Sequence, residues 1–115
     1  MRTVKQIKLY NLINKLAEDA HRNALNKGWY DQDRNPPELI CLIHSELSEA
    51  LEAFRNHNPP DEHCPEYSSA EIELADAIIR ILDMCAYLGF DISGAILAKM
   101  TYNLKRPQRH NGKAY

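Results

Sequence analysis

Long apolar runs are missing from this 115-residue chain. No stretch approaches the ~18–20 residues that a membrane-spanning helix needs, and the basic N-terminus lacks the apolar centre of a signal peptide. A cytoplasmic protein with no membrane partner is therefore expected. Cysteine is scarce. Cys41, Cys64 and Cys85 form an odd, widely spaced set, which argues against a disulfide framework and for a reducing compartment. Excess positive charge is also missing: 14 Lys and Arg face 16 Asp and Glu, giving a net charge of -2. Global attraction to nucleic acid or to a lipid surface is thus not indicated. Strand-like alternation, internal repeats and low-complexity tracts do not occur.

What the chain does hold is helical periodicity in four segments. The first is predicted from about Thr3 to Asn26 and is stopped by Gly28. The second starts near Pro36–Pro37, where proline suits a first turn, and ends before Asn58–Pro59–Pro60. The third follows Ser68-x-x-Glu71, a spacing in which each side chain caps the other's backbone, and runs to Gly89. The fourth is capped by Asp91 and ends ahead of Pro107. The expected fold class is all-α: one helical domain over 1–106, then a polar, basic tail over 107–115 carrying Arg109, His110 and Lys113. A chain this small buries roughly two-thirds of its unfolded surface, enough for one modest core.

Two acidic pairs stand out, Glu46-x-x-Glu49 and Glu73-x-x-Asp76. Positions i and i+3 of a helix project from one face, so each pair aims two carboxylates at a common point. In the second helix, Leu39, Leu42, Ile43, Leu47, Ala50, Ala53 and Phe54 make the apolar arc. Glu46 falls inside it, Glu49 lies at its edge, and Glu52 and His44 point away. A core-facing carboxylate is costly unless a cation satisfies it. The third helix is apolar over most of its circumference, leaving one stripe of Glu73, Asp76, Arg80, Asp83 and Tyr87. Such a helix must be covered on most sides, which four helices in one chain can hardly manage. A homo-oligomer is the expectation.

Two such helices side by side form a four-carboxylate cage, and hard divalent cations such as Mg²⁺ take oxygen ligands of that kind. Mn²⁺ fits the same donors. On the fourth helix Lys99, Asn103 and Arg106 share one face, a complement suited to phosphates. Glu46-Leu-Ser-Glu49-Ala, Glu73-Leu-Ala-Asp76 and Lys99-x-x-x-Asn103-x-x-Arg106-Pro107 together resemble the MazG-like all-α nucleotide pyrophosphohydrolases. The resemblance covers the second to fourth helices. It implies a four-helix bundle completed by neighbouring chains in a dimer or tetramer. It further implies Mg²⁺ on Glu46, Glu49, Glu73 and Asp76, and phosphate or nucleotide contacts for Lys99, Asn103 and, more loosely, Arg106. The implied reaction is hydrolysis of a nucleoside triphosphate to the monophosphate and pyrophosphate, with Glu46 or Glu49 as general base. Preferred base and sugar are not legible from the motif.

Other residues admit plainer roles. Trp29 reads either as a latch packing its loop onto the core with Tyr30, or as a platform for a nucleobase. His21 reads as a satisfied core histidine rather than a substrate contact. Asp83 pairs with Arg80 or joins the site. His57, His63 and Cys64 match no common zinc spacing. A di-iron carboxylate bundle would carry Glu-x-x-His motifs, which the second and third helices lack. The remaining alternative is a non-catalytic helical module whose basic tail binds nucleic acid, and the net acidity counts against it.

Overall fold

The computed structural model describes residues 1–107, and among them the chain forms four helices and no strand beyond one isolated bridge between Pro60 and Ser68. The expected basic tail, with Arg109, His110 and Lys113, lies outside the described residues.

Each helix begins where a side chain can satisfy its free backbone N–H groups. Helix α1, Val4–Asn26, starts at Thr3, which accepts from the Gln6 N–H while the Gln6 side chain accepts from the Thr3 N–H. Helix α2, Pro36–Arg55, is capped by Asn35, whose side chain accepts from the Glu38 N–H at 2.9 Å. Helix α3, Ser69–Leu88, shows the reciprocal Ser68–Glu71 pair read from the spacing. The Ser68 backbone N–H donated to Glu71 holds that carboxyl below its ordinary range. Gly89 ends the helix in the left-handed conformation at φ 73°. Helix α4, Ile92–Lys105, is capped by Asp91, which accepts from the Gly94 N–H at 3.0 Å.

Helix α2 packs on α3, α3 on α1, and α1 on α4, and no other pair packs comparably. The chain turns by 117° between α3 and α4. Between α2 and α3 lies the core of Leu39, Ile43, Met84 and Cys85, flanked by Ile81, Tyr87, Leu88 and Ile92. Ala17, Ala50, Ala53, Ala70 and Ala77 are buried as well. A side chain of one methyl lets two helix backbones approach closely but removes little apolar area from water. Glu46 sits one turn from Ile43 and from Ala50, so the carboxylate pair of α2 borders this core.

Much apolar surface remains uncovered. On α3, Leu74, Ile78 and Ile79 are 42%, 57% and 46% exposed, and on α2 Leu51 and Phe54 are as open. Among the described residues no single helix is long and apolar enough to cross a membrane.

Candidate active site

Three of the four acidic residues converge. One carboxylate oxygen from each of Glu46, Glu49 and Glu73 lies within 4.8 Å of the other two. The convergence follows from the α2–α3 packing: Glu46 rides the buried face of α2, Glu49 the next turn, and Glu73 faces them from α3. Glu46 is buried, Glu73 half-buried and Glu49 exposed. Asp76, one turn beyond Glu73, is exposed and stands outside this cluster.

The electrostatics are those of an acidic group short of positive charge. Burial, reinforced by the nearby Glu49 and Glu46 carboxylates, pushes the Glu73 carboxyl up to about 7. Asp76, though exposed, is raised too, by partial desolvation first and by Glu46 next, with Arg80 opposing. Glu73 Oε2 is shielded from water and has no hydrogen-bond partner, an arrangement that costs stability unless something donates to that oxygen or binds it. An all-oxygen donor set at this spacing suits Mg²⁺ or Mn²⁺. Ligands at ~2.1 Å on opposite sides of an ion are about 4 Å apart, so the cluster needs little contraction.

Arg80 supplies the local counter-charge. Its Nε donates to Glu46 Oε1 at 2.8 Å, bridging α3 to α2. Of the two sequence readings of Asp83, pairing with Arg80 is not the one the structure shows. Asp83 turns instead toward α1, accepting from His21 Nδ1 at 2.8 Å and from the Tyr30 hydroxyl at 2.7 Å. Burial and that bond to Asp83 raise the Tyr30 hydroxyl well above its ordinary range. Tyr30 stacks on Tyr87 at 4.2 Å, and His21 meets Tyr30 edge-on at 5.1 Å. His21 is thus a satisfied interior histidine, as its place on the wheel indicated.

Two cavities flank the carboxylates. One, of about 250 Å³, is walled by Trp29, Asp76, Arg80, Asp83, Asn23 and Lys27 among others. Arg34 and Arg80 each lie over the Trp29 ring, at 4.5 and 4.9 Å from its centre, so the indole edges this cavity under two guanidinium groups. The Arg34 Nε also donates to the Trp29 carbonyl at 2.8 Å, which fixes the loop. The other cavity, of about 240 Å³, is lined by Glu49, Glu52, Asn56, Ser69 and Glu73 with Ala53 and Pro59, and among the described residues no basic side chain lines it.

Lys99, Asn103 and Arg106 are exposed on α4. Lys99 Nζ lies 4.6 Å from the Tyr102 ring centre and the Arg106 guanidinium 5.8 Å. Helix α4 packs on α1, whereas the carboxylates belong to α2 and α3. Within a single chain the cationic stripe is not brought opposite the acids. His57, His63 and Cys64 join no metal-binding group among the described residues. His63 and Cys64 instead donate backbone N–H groups to Asp61 Oδ2, each at 2.9 Å, and His44 is exposed.

Arg80 and Arg34, which lie over the Trp29 ring, join the candidate site although the sequence reading gave neither a site role. The signal for Arg80 was its position as the lone cation on the polar stripe of α3. Arg34 sits in a loop, where periodicity says nothing.

No family model and no solved structure matches the chain. It is similar to a dATP/dGTP diphosphohydrolase of Cyanophage S-2L, at 32% identity over 74 residues. Those residues make up 64% of this chain and 59% of the phage protein. The chain thus spans rather more than half the length of that relative.

Proposed function

We propose that this chain is a Mg²⁺-dependent nucleotide pyrophosphohydrolase of the MazG-like kind, cleaving a nucleoside triphosphate to its monophosphate and pyrophosphate. The observation that carries this reading is the convergence of Glu46, Glu49 and Glu73 around a buried, unpartnered carboxylate oxygen. The diphosphohydrolase similar to it acts, by its name, on dATP and dGTP, which makes purine deoxynucleotides the first substrates to try.

In this reading Glu46, Glu49 and Glu73 hold the cation, and Asp76 joins them from the next turn of α3. When bound, Mg²⁺ acidifies a coordinated water and offsets charge on the phosphates. Of the two candidates for general base, Glu49 is favoured: it is exposed, whereas Glu46 is tied to Arg80. Glu49 takes the proton of the attacking water at a carboxylate oxygen. Trp29 offers an aromatic wall for the base.

Among the described residues the cavity beside Glu49 and Glu73 has no basic lining, so phosphates held there call for a cationic partner from outside it. We infer that Lys99, Asn103 and Arg106 of a second copy fill that role, in a homodimer or homotetramer closed over the exposed apolar face of α3. Free cysteines at Cys41, Cys64 and Cys85 agree with a cytoplasmic setting.

The direct test is product analysis. With Mg²⁺ the protein is expected to release pyrophosphate, and no orthophosphate, from at least one member of a panel of canonical and modified nucleoside triphosphates led by dATP and dGTP. Glu49→Gln is expected to lose at least about a hundredfold in kcat, the contribution typical of a general base. A panel without product above the Glu49→Gln background ends the enzyme reading.

A further inference from the structure

Arg80 is the side chain that touches both halves of the proposed site. Its Nε donates to Glu46 Oε1 at 2.8 Å, while its guanidinium lies 4.9 Å from the centre of the Trp29 ring. The two contacts differ in permanence from those of its neighbour. Arg34 is anchored by the Trp29 carbonyl and by an ion pair to Glu38 on α2. Arg80 has one ion pair, to a residue of the metal cluster, and its side chain is 32% exposed.

We propose that Arg80 couples cation binding to base binding. Without a divalent cation it neutralises Glu46 and covers part of the Trp29 ring. With a cation on Glu46, Glu49 and Glu73 it gives up Glu46 and uncovers that ring for a nucleobase. The proposal rests on the pyrophosphohydrolase reading and adds an order of events to it. A buried carboxylate without a counter-charge is strongly unfavourable, so Glu46 needs Arg80 only while the cluster is empty. Once Glu46 shares a divalent ion, the same guanidinium faces a like charge at short range in a partly buried setting. Arg80, 32% exposed, is open enough to leave without unpacking α3. The cavity beside Trp29 then widens on the side where Arg80 had been, and the nucleotide enters after the metal.

Trp29 is the only tryptophan, so the test can read this ring alone. Mg²⁺, with no nucleotide, is titrated into the full chain by calorimetry, and acrylamide quenching of Trp29 emission is followed in parallel. Wild type is expected to bind Mg²⁺ and to become more quenchable as it does. Arg80→Met is expected to be as quenchable before any Mg²⁺ is added as Mg²⁺-loaded wild type, to show no further change, and to bind Mg²⁺ about tenfold more tightly, a coupling of ordinary size. Arg80→Lys, which keeps the competing charge, is expected to bind Mg²⁺ near wild-type strength. Mg²⁺ binding to wild type with unchanged quenching overturns the coupling and leaves the enzyme reading intact, and this measurement stands even if the Met variant does not fold. An Arg80→Met protein that binds Mg²⁺ no tighter than wild type overturns it likewise. Absence of any Mg²⁺ binding removes the metal site itself, and this proposal with it.

Discussion

Glu73 concentrates the tension of the site in one side chain. Its carboxyl is pushed up to about 7 by burial and by two neighbouring acids, so the folded chain holds a proton there that the unfolded chain releases near 4.5. Between those values the folded state binds more protons, and metal-free stability falls as pH rises. The contribution is complete below about 4.5 and gone above about 7. Glu73→Gln removes the charge while keeping the shape. In EDTA it is expected to be more stable than wild type by about 2 kcal/mol at neutral pH and equal to it at pH 4. Urea denaturation at the two pH values checks this; an equal gap at both would mean that Glu73 does not titrate in the window.

At the scale of the helix, the ends were legible and the partners were not. Gly89 shows why ends are readable: its φ of 73° is open to glycine at no steric cost, and a Cβ there would meet nothing within 4 Å. Gly89→Ala is therefore expected to cost about 1–2 kcal/mol, from backbone conformation alone, measured as a lowered urea midpoint with unchanged slope. Ser68, Glu71 and Asp91 announced their caps because capping is local chemistry within four residues. The burial of Glu46 was legible for a similar reason, since helical periodicity alone puts it on the apolar arc. Which side chain meets Glu46 depends on how α2 and α3 are rotated against each other. For that reason the sequence left Asp83 between a pairing with Arg80 and a place in the site, and its attachment to His21 and Tyr30 was not legible. Lys99 and Asn103 share a face, as their spacing requires, but spacing cannot say that α4 docks on α1.

For the whole molecule the open question is what covers the apolar side chains left on α2 and α3. Light scattering is expected to show a homo-oligomer at micromolar concentration, and a stable folded monomer would overturn this reading of α3. If Lys99 of one copy serves the carboxylates of another, mixing inactive Glu73→Gln and Lys99→Ala chains is expected to restore part of the activity, because some sites receive both native halves. Two inactive parents giving an inactive mixture, with subunit exchange shown by mass, would place both halves in one copy.

The alanine-rich contacts between helices carry one more consequence. Methyl groups at Ala17, Ala50, Ala53, Ala70 and Ala77 make neat seams but weak glue, so a solitary chain has little to hold it shut. In the proposed homo-oligomer dilution would act as a denaturant, and the melting temperature is expected to slide down as protein becomes scarce. If the proposed site needs two copies, a cell making only a trickle of this polypeptide would hold chains but no complete site, and the onset of activity would follow a threshold in abundance.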